Sequence, residues 1–114
     1  ILGGGSVLLA GTVINPLSTI GEHCIVNTRA SIDHECVLAR GASIAPGAIL
    51  GGNVRIGQGS MVGIGATVIH SMTIGADTLI GAGSVVTKEI PDQCIACGSP
   101  ARKLRTREPG EKML

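Results

Sequence analysis

The sequence predicts an all-β chain wound as a parallel β-solenoid. Two observations carry this. The first is a six-residue period: every sixth residue from Leu2 through Leu8, Ile14, Ile20 and onward to Ile80 and Val86 is Leu, Ile or Val. The second is composition: 44% of the 114 residues are hydrophobic, yet Phe, Tyr and Trp are absent. A core without aromatics must be assembled from narrow layers of aliphatic and small side chains. A fixed short period sustained over most of a chain is the mark of a repeat architecture.

Each element follows from the hexad. Four residues after each aliphatic position runs a second column, mostly small and never charged, from Ser6 and Thr12 through Cys24, Ala30 and Cys36 to Ser84 and Ile90. One large and one small inward residue per hexad define a short strand and its corner. Gly21, Gly51, Gly57, Gly63, Gly75 and Gly81 directly follow aliphatic positions. They are expected to supply corners with positive φ. Fifteen hexads in threes give five coils of eighteen residues, Leu2 to Pro91. Residues 1–91 are therefore expected to form the solenoid domain. Residues 92–114 are expected to form a C-terminal cap and basic tail, either a short helix or partly disordered.

Composition excludes other classes. Net charge is +1 and no aromatic platform exists, against nucleic-acid binding. No apolar run is long enough to span a bilayer, and Ile1 to Gly5 carry no basic signal-peptide region. Cys24, Cys36, Cys94 and Cys97 are expected to be reduced thiols of a cytoplasmic protein. Cys94-Ile95-Ala96-Cys97 lacks a second ligand pair for a closed zinc site and reads as a pair of small cap residues.

Residues eighteen apart stack one above another. One corner column reads Pro16, His34, Gly52, His70, Lys88. Two outward columns, Val7-Ile25-Ser43-Met61-Leu79 and Val13-Ser31-Ile49-Thr67-Val85, are mostly apolar. A stripe of that length is a liability on a monomer and reads as a subunit interface.

The segment Asn27-Thr28-Arg29-Ala30-Ser31-Ile32-Asp33-His34-Glu35-Cys36, with Ile44-Ala45-Pro46-Gly47-Ala48, Gly52-Asn53-Val54-Arg55-Ile56-Gly57, Ile80-Gly81-Ala82-Gly83-Ser84 and Gly98-Ser99-Pro100-Ala101-Arg102, carries a resemblance. It resembles the hexapeptide-repeat acyltransferases, in particular bacterial sugar O- and N-acetyltransferases acting on sialic acid or nucleotide-linked amino sugars. The resemblance implies a left-handed parallel β-helix of triangular section. It also implies a homotrimer with sites between adjacent prisms, acetyl-CoA as co-substrate, no metal, and direct acetyl transfer to a sugar amine or hydroxyl.

The resemblance, residue by residue, makes His34 the general base, since imidazole accepts a proton near neutral pH. Asp33 or Glu35 would orient the ring, with Glu35 favoured. Gly52 would donate its amide to the thioester carbonyl. Asn27 would lie near the acceptor, or else serve as a capping Asn. Ile64 and Ala82 would line the pantetheine arm, and Arg102 and Lys103 would meet the phosphates. At Ser43 the subgroup usually has a second histidine that contacts the thioester. Serine can donate a hydrogen bond there but cannot be a cation. Relatives usually carry a preceding nucleotide-binding domain. An excised domain, a stand-alone version and a noncatalytic scaffold or remnant all remain open. A carbonic-anhydrase-like zinc trimer is a distant alternative, because His34 and His70 stand two coils apart, roughly 9–10 Å, too far to share one zinc.

Overall fold

The computed structural model describes residues 1–113. Within them the chain winds as a parallel β-solenoid with three faces. All fourteen of its coil-borne strands pair at the expected step of eighteen. The first face holds β1 (Val7–Leu8), β4 (Ile25–Val26), β7 (Ser43–Ile44), β10 (Met61–Val62) and β13 (Leu79–Ile80), and continues into β15 (Cys94–Gly98) and β16 (Ala101–Thr106). The second face holds β2 (Val13–Ile14), β5 (Ser31–Ile32), β8 (Ile49–Leu50), β11 (Thr67–Val68) and β14 (Val85–Val86). The third holds β3 (Thr19–Ile20), β6 (Val37–Leu38), β9 (Arg55–Ile56) and β12 (Thr73–Ile74).

Each coil strand is two residues long because the pleat sends its first side chain out and its second in before the corner turns. Register follows directly: Leu8, Val26, Ile44, Val62 and Ile80 stack in line on the first face. From Ile20 to Val86 the inward aliphatic column is buried without exception. Burial of each such side chain contributes about 1.5–3 kcal/mol. In the first coil Leu2 and Leu8 stay exposed, as do Val7, Leu9 and Val13.

The corners correct one sequence expectation. The glycines that follow the aliphatic positions do not have positive φ. Positive φ recurs every sixth residue from 5 to 83, three residues after each aliphatic, where Gly, His, Arg, Glu, Asn, Ser, Asp and Leu all occur. Gly21, Gly51, Gly57, Gly63, Gly75 and Gly81 are instead sites of close approach. A Cβ on Gly57 would lie 2.4 Å from the carbonyl carbon of Gly75 and 2.5 Å from the nitrogen of Ala76. These glycines let successive coils stack at strand spacing.

Glycine fills the positive-φ position unevenly. On the corner between the first and second faces it is Gly11, Arg29, Gly47, Gly65 and Gly83. Between the third and first faces it is Gly5, His23, Gly41, Gly59 and Asp77. Between the second and third faces it is Leu17, Glu35, Asn53 and Ser71. Each non-glycine residue there costs on the order of 1 kcal/mol.

The small inward column also carries polar work. The hydroxyls of Ser6 and Ser18 donate to the carbonyls of Gly21 and Asp33 and accept the amides of Cys24 and Cys36. Ser60 bridges Gly75 and Thr78 in the same way. The thiols of Cys24 and Cys36 stand in this column and donate to Ala39 and Gly51, each at 3.1 Å. Burial pushes both thiols up from their ordinary pKa, so they remain protonated core groups.

The segment after the coils is neither helical nor coil-like. β15 joins β13 in parallel and β16 returns antiparallel to it, pairing Cys97 with Arg102 and Ala96 with Lys103. Arg107 then turns inward: its side chain is buried, and its guanidinium donates to the backbone carbonyls of Asp77 and Glu111. Arg105 pairs with both carboxylate oxygens of Glu111 at 2.9 and 2.7 Å. The expected helix or disorder is thus replaced by a hairpin and a strap. Leu114 lies outside the described residues. Among those residues no helix is long and apolar enough to cross a membrane.

Candidate active site

His34 sits on the corner between the second and third faces, just after β5. Its amide donates to Asp33 Oδ1 at 2.7 Å. This contact commits the Asp33 carboxylate to the turn, the usual role of Asp in such a bend. Glu35 is the carboxylate beside the ring, with Oε1 3.6 Å from His34 Nδ1. Glu35 holds φ at +58°, which turns the chain sharply and brings its side chain back along the same corner.

Gly52 lies one coil on, directly against the imidazole. A Cβ there would fall 2.7 Å from His34 Nε2 and 2.8 Å from Cε1. Any side chain at 52 would displace the ring. The backbone below the ring is fixed by the amide of Asn53 on the His34 carbonyl and the amide of Ser71 on the Gly52 carbonyl, both at 2.9 Å. Among the described residues the Gly52 amide itself meets no acceptor. The same is true of the amides at the equivalent corner positions Arg40, Gln58 and His70.

The other sequence-predicted residues fall elsewhere on the prism. Asn27 follows β4 on the corner between the first and second faces, and its Oδ1 accepts the Thr28 amide at 2.7 Å, which is the capping alternative. Ser43 is half-buried on the first face, between Ile25 and Met61 in register. Ile64 and Ala82 line a shallow apolar hollow of about 120 Å³ with Met61 and Leu79. Arg102 and Lys103 are exposed on β16, at the far end of the first face from β1. A single chain therefore does not bring these residues to His34. They form a second constellation on the first face and its neighbouring corner, running from Ser43 through the hollow to the basic hairpin, about 19 Å at strand spacing.

His70 continues the His34–Gly52 column and is exposed, whereas His23 occupies the corner between the third and first faces. Among the described residues no three His, Cys, Asp or Glu side chains gather as a metal-binding group. Cys94 and Cys97 are free thiols on β15, three residues apart and so on opposite sides of the strand. Arg107 was not singled out by sequence reasoning. The only signal was an arginine amid other basic residues, and nothing in that run distinguishes a buried one.

Comparison with known proteins bears on this geometry. The family described as bacterial transferase hexapeptide (six repeats) matches residues 53–88. The acetyltransferase domain of PglB from Neisseria gonorrhoeae FA1090, solved alone and with acetyl coenzyme A, superposes with a TM-score of 0.90 at 42% identity, over 91% of this chain and 51% of that one. A His-to-Ala variant of GDP-perosamine N-acetyltransferase from Caulobacter crescentus, solved with CoA and GDP-perosamine, gives 0.83 at 38% identity, over 90% of this chain and 52% of that one. A Schizosaccharomyces pombe protein named provisionally as an acetyltransferase is 44% identical over 55 residues, 48% of this chain and 27% of that protein. The repeat and the solenoid are thus shared with the hexapeptide-repeat family over residues 53–88, and the whole coil region is similar in fold to these acetyltransferases. One of these neighbours is named as an N-acetyltransferase of a nucleotide-linked sugar. The chain spans about half the length of these solved relatives and about a quarter of the curated ones.

Proposed function

We propose that the protein transfers an acetyl group from acetyl-CoA to an amine or hydroxyl of a sugar, or of a nucleotide-linked sugar, in the cytoplasm. The observation that carries this reading is the packing of the His34 imidazole against Gly52, with Glu35 Oε1 3.6 Å from Nδ1. With Glu35 beside Nδ1, the tautomer protonated at Nδ1 is favoured and the Nε2 lone pair is left open. The acceptor nitrogen or oxygen attacks the thioester carbonyl carbon as Nε2 takes its proton. The C–N or C–O bond forms, the C–S bond breaks, and CoA leaves as a thiolate that is then protonated. The Gly52 amide faces the oxygen on which negative charge develops. No covalent enzyme intermediate is required.

A homotrimer completes the site in this reading. Val7, Val13, Ile25 and Ile49 are exposed on the first and second faces, an apolar area suited to burial between copies. A neighbouring copy can present its first face to the His34 corner. Its Ser43 would then stand near the thioester, the hollow at Ile64 and Ala82 would take the pantetheine arm, and Arg102 and Lys103 would meet the phosphates. Support comes from two relatives solved with acetyl coenzyme A or with CoA and GDP-perosamine.

Calorimetric titration with acetyl-CoA tests the reading without a thiol-release assay, which four cysteines would confuse. Saturable binding near one site per chain supports it. No binding at millimolar acetyl-CoA would favour a noncatalytic trimeric scaffold.

A further inference from the structure

The corner that carries His34 differs from the other two. Glycine fills the positive-φ position at most coils of the other corners and at none of the four on this one. Retained backbone strain of this kind clusters where a side chain is needed. Resting on the transferase reading, we propose that Asn53 and Ser71 form a hydrogen-bonding row that holds the acceptor sugar beside His34.

Both residues are tied to the reacting pair through the backbone. The Asn53 amide donates to the His34 carbonyl, and the Ser71 amide donates to the Gly52 carbonyl. Their side chains therefore step along the same edge as His34 and Gly52. Asn53 Nδ2 and Ser71 Oγ approach to 3.4 Å, and both residues are exposed. That contact uses one donor of the amide. The second N–H, the amide oxygen and the serine hydroxyl remain for a ligand. Neutral groups that both donate and accept, spaced along one edge, match a run of sugar hydroxyls better than a phosphate, which calls for cations. Glu35, in the same row, is already turned to the imidazole.

The test uses Asn53→Gly and Ser71→Gly, with His23→Gly as a control from another corner, in the intact chain. GDP-perosamine serves as the acceptor probe. Glycine relieves the backbone, so each variant is expected to melt no lower than the parent. Asn53→Gly is expected to raise the KM for GDP-perosamine about tenfold, with kcat and the KM for acetyl-CoA changed less than twofold. Ser71→Gly should act in the same direction, and His23→Gly should leave both KM values unchanged. Unchanged acceptor KM in both corner variants, with an active parent, overturns this proposal alone. A parent that neither binds acetyl-CoA nor acetylates the probe overturns the transferase reading with it.

Discussion

The His34 imidazole lies against the Cα of Gly52, so closely that a Cβ there would sit 2.7 Å from Nε2. One coil of the solenoid thus supplies the ring and the next supplies its floor. The arrangement depends on the eighteen-residue step, because only stacking in register puts residue 52 under residue 34.

Gly52→Ala should therefore damage chemistry more than folding. The methyl displaces the ring and crowds the amide. A fall in kcat of about 100-fold is expected, the scale of losing one oxyanion donor, with the circular dichroism spectrum unchanged. Steady-state kinetics beside a melting curve would check it. A fully active Gly52→Ala protein would refute the role given to this contact.

Glu35→Gln should separate the two carboxylates that flank His34. Glu35 stands at Nδ1, whereas Asp33 is spent on the His34 amide. The expected loss in kcat for Glu35→Gln is about tenfold, smaller than the loss of the base itself. Asp33→Asn keeps an oxygen for the turn and should stay within about threefold of the parent. Comparable losses in the two variants would contradict the assignment.

Two glycine substitutions should report the two kinds of corner. Gly57→Ala places a methyl within 2.5 Å of the next coil's backbone, an overpacking expected to cost about 3 kcal/mol, the upper end of the usual range. Gly47 has open space around it but a φ of +71°, so Gly47→Ala should cost only about 1 kcal/mol. Urea denaturation of both variants gives the comparison.

The terminal strap should respond to acid. Pairing with Arg105, then the Glu108 amide, lowers the Glu111 carboxyl from 4.5 to about 2. Its folded value is depressed, so its contribution is present above pH 4.5 and is lost as pH falls toward 2. Glu111→Gln should abolish that dependence. Carboxyl NMR titration of the parent reads the value directly, and an ordinary glutamate value would show that the strap is not clamped in solution.

Much of the fold was legible because one number governs it. The period of six set the inward columns, and three hexads per coil set which residues stack, including His34 over Gly52. The corner glycines were misassigned because two demands, positive φ and close approach, both select glycine and leave the same letter. Gly57 answers the second and Gly47 the first, and only the backbone distinguishes them. The hairpin of β15 and β16 was missed because it departs from the period and pairs through an antiparallel return. The burial of Arg107 depends on carbonyls of Asp77 and Glu111, one of them thirty residues away. Candidate site residues were legible as columns, but not their division between two sides of the prism, because a motif on a wound chain does not state which face it occupies.

The central claim is that His34 takes the proton during acetyl transfer. Its most direct test is mass-spectrometric detection of acetylated GDP-perosamine formed from acetyl-CoA by the parent protein and by His34→Ala. The account predicts product with the parent and a rate at least about 100-fold lower with the variant, while calorimetry shows acetyl-CoA still bound. A His34→Ala protein that turns over at the parental rate would contradict it.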